Sequence, residues 1–206
     1  MKLLVATRSS GKRREMRRLF ADSGIEPVFP EDAGVAETPA EALLELHDSF
    51  RANAWAKAEF FGRKTGLPTV ADDSGLEVFS LGGEPGVKSR RWAQADGPPD
   101  AVDAANNALL LRRLAGAPES RRRARYRCVL ALYRAASAPP EFFEGACTGL
   151  IVAEARGSHG FGYDPFFLSD DLEQTFGEAD DTAKDEVSHR GRAVRALLAA
   201  LANHPL

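Results

Sequence analysis

Cysteine is scarce: the 206 residues contain two, Cys128 and Cys147. Their separation matches no metal-ligand spacing and both stand in apolar surroundings, so buried free thiols are expected rather than a zinc site. Nor are disulfide staples needed, because a chain of this length with 44% apolar residues can bury an adequate core. Long apolar runs are also missing, and no segment approaches the length of a membrane span. The opening Met1-Lys2-Leu3-Leu4-Val5-Ala6 is too short for a signal-peptide core and ends at Thr7-Arg8 without a cleavage context. Charge of one sign is not in excess: a net charge of −3 gives no whole-chain argument for a stable nucleic-acid or membrane partner. The expectation is a soluble cytoplasmic protein in a reducing compartment. By size it is one large or two small domains, read here as a single domain over residues 1–206.

What is present is organised by Val70-Ala71-Asp72-Asp73-Ser74-Gly75-Leu76-Glu77-Val78. Thr69-Val70-Ala71 and Leu76-Glu77-Val78-Phe79 both read as strand, which places Asp72 and Asp73 at a strand end. Neighbouring strand residues face opposite ways, so one Asp can be structural while the other faces a cleft. A carboxylate at a strand end can hold Mg²⁺ or take a proton from water. The competing reading is a polar turn, since Asp, Ser and Gly are common turn residues.

Upstream, Lys2 to Ala6 reads as a buried strand. Thr7-Arg8-Ser9-Ser10-Gly11-Lys12 leads from it into a helix with Met16, Leu19 and Phe20 on its apolar stripe. Ser9 or Ser10 can cap that helix and Gly24 can end it. Free amides at the helix start, together with Lys12, favour an anion there. The glycine spacing of a Walker loop is absent. An acidic loop with Glu31, Asp32, Glu37, Glu41 and Glu45 leads to a helix from Ser49, where Phe50, Ala54, Ala58 and Phe61 recur at helical spacing. Asn53 and Lys57 lie on or beside that face.

Downstream, Leu81 to Val87 is a glycine-rich turn, and Ser89-Arg90-Arg91-Trp92 could grip a polyanion or lie in solvent. Asp100 to Ala115 reads as a helix burying Ala104, Leu110, Leu111 and Leu114. Arg121-Arg122-Arg123 precedes a strand over 124–132, and a further strand runs from Phe142 to Ile151. The loop Gly157 to Phe167 carries Phe161 and Tyr163 on a flexible backbone, where a planar base could stack. Ser188 can cap a final helix, at whose start His189 and Arg190 are expected to be exposed and close to bound anions.

Five motifs stand in one order: Ala6 to Lys12, Ala71 to Leu76, Gly82 to Gly86, Phe161 to Pro165, and Ser188 to Gly191. Together they resemble the inosine triphosphate pyrophosphatase family, which includes the bacterial dITP/XTP pyrophosphatases, over Leu3 to about Leu201. The resemblance implies an α/β fold with a long twisted mixed β-sheet and flanking helices, two lobes around a central nucleotide cleft, and a homodimer. It implies Mg²⁺-dependent hydrolysis of non-standard purine nucleoside triphosphates to the monophosphate and pyrophosphate. By position, Thr7, Arg8, Ser9, Ser10, Gly11 and Lys12 would hold the triphosphate. Asp73 would be general base and metal ligand, and Ser74 would touch substrate. Phe161, Gly162, Tyr163 and Asp164 would hold base and sugar, while Lys184, His189 and Arg190 would meet the base edge and phosphates. Glu45 is the choice for a second metal carboxylate, with Glu41 and Glu37 as rivals. The chain departs from the family pattern in having Ser9 in place of Asn and Ala52 in place of Glu. Two other readings remain: a Maf-type pyrophosphatase for modified pyrimidines, and a non-catalytic nucleotide- or RNA-binding module suggested by Ala52, Ser9 and the arginines from Arg121 to Arg127.

Overall fold

The opening apolar run becomes β1 (Lys2–Val5), whose Leu3, Leu4 and Val5 are buried, as expected of a strand covered on both faces. It pairs in parallel with β2 (Glu26–Val28) and with β3 (Thr69–Val78). In this computed structural model, which describes residues 1–206, β4 (Arg123–Tyr133), β5 (Glu141–Ile151) and β6 (Phe167–Ser169) complete the sheet. Its six strands run in the order β2-β1-β3-β4-β5-β6, with β6 antiparallel to β5. The helices are α1 (Ser10–Leu19), α2 (Phe50–Thr65), α3 (Pro99–Arg113), α4 (Asp181–Val187) and α5 (His189–Asn203). This is the expected α/β class, a mixed sheet with flanking helices. No helix is long and apolar enough to cross a membrane.

The chain divides into two units. The first comprises Met1–Asp73, Cys128–Gly145 and Gly191–Leu206, and its core includes Leu3, Met16, Phe20, Val70, Leu130 and Leu197. The second comprises Ser74–Arg127 and Ala146–Arg190, with Leu76, Leu110, Tyr126, Phe167 and Phe176 in its core. Both cysteines are buried free thiols.

Three local expectations change. Asp72 and Asp73 do not stand at a strand end, because β3 is one continuous strand through Asp72-Asp73-Ser74-Gly75. Lysine and asparagine partners, described below, satisfy these carboxylates inside the sheet, so no polar turn is required. Helix α1 ends at Leu19, before Gly24. Ser23 Oγ donates to the Phe20 carbonyl at 2.7 Å and accepts the Ile25 amide at 3.2 Å, and these side-chain bonds compete with continued helix. In α3 the buried positions are Val102, Asn106 and Leu110, continued by Leu114, while Ala104 is exposed and Leu111 half-buried. The helix is thus turned so that an asparagine, not an alanine, faces inward.

Candidate active site

In the first unit, β1 delivers the chain to an open helix end. The Ser9 amide donates to Thr7 Oγ1 at 3.3 Å, and the Lys12 amide to Ser9 Oγ at 3.4 Å. The amides of Ser10 and Gly11 belong to the first turn of α1, where no carbonyl of the preceding turn can reach them. This end carries the positive pole of the helix dipole. Lys12 adds a full charge and is paired with the buried Asp72 carboxylate, which also accepts from the Cys128 thiol at 3.3 Å. Asp72 is therefore the structural member of the pair: it aims Lys12.

Asp73 is buried and takes different partners. Asn53 Nδ2 donates to its Oδ2 at 3.0 Å, and Lys57 Nζ lies 3.6 Å from its Oδ1. The same ammonium donates to Glu45 Oε1 at 2.5 Å and to the Asp72 carbonyl at 2.7 Å. Burial pushes the Asp73 carboxyl above the ordinary aspartate range, against the pull of Lys57, Lys12 and the Asn53 hydrogen bond. Lys57 holds Glu45 below the ordinary glutamate range. Burial opposes charge on Lys57, but Glu45, Asp73 and Asp72 outweigh it and hold its pKa above the usual lysine value. Of the carboxylates Asp73 and Glu45, Asp73 is the one whose basicity burial raises, the direction that proton abstraction from water requires.

The sequence puts Asn53 and Lys57 near the buried face of α2 without a role. Asn53 in fact also grips the loop before α2, accepting the His47 amide at 2.9 Å and donating to its carbonyl at 3.2 Å. The available signal was two polar residues spaced i, i+4 within an otherwise apolar stripe.

Arg8 does not join the anion site. Its guanidinium is bidentate to Glu41, with both bonds at 2.9 Å, and also holds the Val35 carbonyl at 3.0 Å and Glu31 at 3.1 Å. These contacts fasten the acidic segment. The same contact, with the Thr38 amide at 3.2 Å, occupies Glu41, and Glu37 is exposed. Glu45 is the acid of this segment that shares a cation with Asp73.

The second unit carries the aromatic loop. Buried Asp164 organises it: Oδ2 accepts the Phe161 amide at 2.8 Å and Lys184 Nζ at 2.6 Å, and Oδ1 accepts the Tyr126 hydroxyl at 3.2 Å. Gly160 has φ +75°, and a Cβ there would lie 2.1 Å from Asp164 Oδ2, so only glycine fits this turn. Tyr163 is no stacking platform; its ring belongs to the core and its hydroxyl donates to the Ser89 carbonyl at 2.8 Å. Phe161 remains half-buried, with Lys184 Nζ and the Arg190 guanidinium 5.2 and 5.8 Å from its ring centre.

His189 and Arg190 are buried, not exposed, at 4% and 2% of their surface. Tyr126 stacks flat on the imidazole, with ring centres 4.6 Å apart and planes 9° apart, and Arg190 Nη2 donates to Ser74 Oγ at 2.8 Å. The expectation failed because a helix start is exposed only until another element covers it. Here β4 supplies Tyr126.

Helix α3 contributes polar residues that its apolar spacing does not mark. Asn106 Oδ1 accepts the Ala93 amide at 2.8 Å and its Nδ2 donates to the Arg90 carbonyl at 3.1 Å. Asn107 Nδ2 donates to the Gly162 carbonyl and Asp103 Oδ2 accepts the Gly162 amide, each at 2.9 Å. Adjacent asparagines inside a helix are unfavourable by propensity, and that was the overlooked signal.

A family model described as the Ham1 family matches residues 3–200. The dITP/XTP pyrophosphatase of Burkholderia pseudomallei (strain K96243) is 47% identical over 201 residues, covering 97% of this chain and 93% of that protein. The dITP/XTP pyrophosphatase of Halorhodospira halophila (strain DSM 244 / SL1) is 44% identical, covering 98% of each. Among solved structures, a HAM1 protein from Coxiella burnetii superposes with a TM-score of 0.84 at 34% identity, covering 98% of this chain and 99% of that one. A nucleoside-triphosphatase / dITP/XTP pyrophosphatase from Mycobacterium abscessus gives a TM-score of 0.72 at 42% identity, covering 96% and 99%.

Proposed function

The chain belongs to the Ham1 family, and from that premise we propose that it hydrolyses non-standard purine nucleoside triphosphates, dITP, ITP and XTP, to the monophosphate and pyrophosphate. This activity would keep such nucleotides out of DNA and RNA. The observation that carries the reading is Asp73, a buried carboxylate with raised basicity, fixed by Asn53 and Lys57 on the strand that also aims Lys12.

The triphosphate falls to the Ser10 and Gly11 amides, Lys12, and the hydroxyls of Thr7 and Ser9. The purine falls to Phe161, whose loop Asp164 and Lys184 hold in place. Water attacks the phosphorus joined to the nucleoside, the bond from that phosphorus to the bridging oxygen breaks, and pyrophosphate leaves. The proton of the water passes to Asp73. Positive groups near the departing oxygen spread its charge. A donor facing the 6-oxo group would reject adenine, which presents an amino group there and leaves that donor unpaired, at about 1–3 kcal/mol.

Asp73 and Glu45 are the residues that would hold Mg²⁺. They share one cation already, the Lys57 ammonium, and a pair of hard carboxylates fits a metal held by one or two side chains plus substrate phosphates. No cluster of three metal-ligating side chains offers an all-protein cage instead. When bound, the ion would neutralise phosphate charge and acidify water. A homodimer and a cytoplasmic location belong to the same proposal.

An RNA-binding role for Arg121 to Arg127 finds less support. Arg122 donates to the carbonyls of Leu114 and Ala117, Arg123 pairs with Asp170 and Arg125 with Glu77. The run is largely committed to holding the second unit together.

Pyrophosphate release from ITP, XTP, dITP, ATP and GTP, with and without Mg²⁺, tests the proposal. Release from the first three only, dependent on Mg²⁺, is expected; release from none would overturn it. Lys12→Ala should weaken ITP binding by about tenfold or more, the loss of one charge-assisted contact. Inosine binding should change little. Calorimetry with both ligands checks this, and equal loss on both would remove Lys12 from the phosphate site.

A further inference from the structure

The loop that presents Phe161 is held from both sides. On its N-terminal side the Phe161 amide is bound by Asp164 Oδ2 at 2.8 Å. On its C-terminal side lies Gly162, in the left-handed region at φ +64°. One turn of α3 takes both polar groups of that residue: Asp103 Oδ2 accepts from its amide and Asn107 Nδ2 donates to its carbonyl, each bond 2.9 Å long. Asp103 and Asn107 are spaced i, i+4 and so share one face of the helix. With both of its polar groups fixed from one rigid helix, Gly162 cannot reorient either adjoining peptide plane.

Helix stability does not explain this pair. Asn is a poor interior helix residue. Asn107 Oδ1 is shielded from solvent and has no hydrogen-bond partner, so the side chain is present for its donor alone. The preceding residue, Asn106, fastens the segment of Arg90 and Ala93 in the same two-handed way. Asp103 Oδ1 also reaches Arg90 Nη1 at 3.2 Å, and Tyr163 reaches the Ser89 carbonyl. Segment 89–93 and the aromatic loop therefore hang on α3 together.

We infer that Asp103 and Asn107 are positioning residues for purine recognition: they fix Gly162 and thereby the Phe161 ring that meets the base. This rests on the reading of Phe161 as the purine platform. Their side chains bond to Gly162 and Arg90 and to none of the residues assigned to the triphosphate or to proton transfer, so their loss registers in base affinity and not in the chemical step.

The test compares the whole wild-type protein with Asn107→Ala, Asp103→Ala and Asp103→Asn. Steady-state kinetics with ITP are joined to inhibition by IMP, which carries the base, and by pyrophosphate, which does not. Asn107→Ala and Asp103→Ala should raise KM for ITP and Ki for IMP by about tenfold, the equivalent of one lost hydrogen bond. Ki for pyrophosphate and kcat should stay within about twofold, and melting temperatures within about 4 °C of wild type. Asp103→Asn keeps an oxygen for the Gly162 amide and should retain most of the wild-type IMP affinity. An unchanged Ki for IMP in both alanine variants, or equal weakening of IMP and pyrophosphate, overturns the inference. A wild-type protein that binds pyrophosphate but not IMP overturns the purine-platform reading beneath it.

Discussion

Asp73→Asn should yield a folded protein that still binds ITP and turns it over about 10²–10⁴-fold more slowly, the usual contribution of a positioned general base. The amide has the shape of the carboxyl and keeps an oxygen for Asn53 Nδ2, which now lies 3.0 Å from Asp73 Oδ2. Lys57 keeps Glu45 at 2.5 Å as its anionic partner. What is lost is the site that accepts the proton of water. Pyrophosphate release measured beside calorimetric ITP binding decides the matter, and turnover within tenfold of wild type would remove Asp73 as base.

The same substitution has a second signature. Burial is the largest influence on the Asp73 carboxyl and raises its pKa. The folded protein thus holds this proton to higher pH than the unfolded chain does. Between the ordinary aspartate value and the raised one, this group makes wild-type stability fall as pH rises. Asp73→Asn lacks that contribution. Its unfolding free energy should decline less than that of wild type across the same interval, as urea titrations at several pH values would show.

Much of this arrangement was legible because it is local. The strand, small-polar loop and helix start from Lys2 to Lys12 form a continuous signal, and Ser9 caps α1 within it. The stripe Phe50, Ala54, Ala58 and Phe61 is buried along α2 as its spacing requires. The failures are non-local. Whether Arg8 meets phosphate or carboxylate depends on Glu41, 33 residues away, and nothing near Arg8 announces that partner. His189 and Arg190 are buried by Tyr126 and by Ser74, the latter 116 residues distant from Arg190. Asp72 and Asp73 resemble a turn because a strand interior rarely tolerates adjacent carboxylates. They stay in β3 because Lys12, Lys57 and Asn53 arrive from two helices to meet them.

Lys184→Met should strongly destabilise the second unit. Lys184 Nζ lies 2.6 Å from Asp164 Oδ2, and the side chains expose 3% and 4% of their surface. Removing one partner of such a buried pair typically destabilises by about 3–5 kcal/mol, because the remaining charge loses its compensation. The Phe161 amide and Tyr126 hydroxyl still donate to Asp164, which places the expected loss near the lower end, about 3 kcal/mol, or a fall of about 10 °C in Tm. The exposed pair Arg113–Glu84, at 46% and 50%, gives the contrast: Arg113→Met should cost at most about 1 kcal/mol. Adding Asp164→Asn to Lys184→Met removes the stranded charge and keeps an acceptor for the Phe161 amide. The double variant should therefore regain a large part of the lost stability in urea denaturation. Its ITP turnover should not return with it, since the ammonium 5.2 Å from the Phe161 ring is gone in both. Recovery of stability without recovery of activity separates the work of Lys184 on its buried partner from its work on the nucleotide. Recovery of both would leave the lysine with the first role alone.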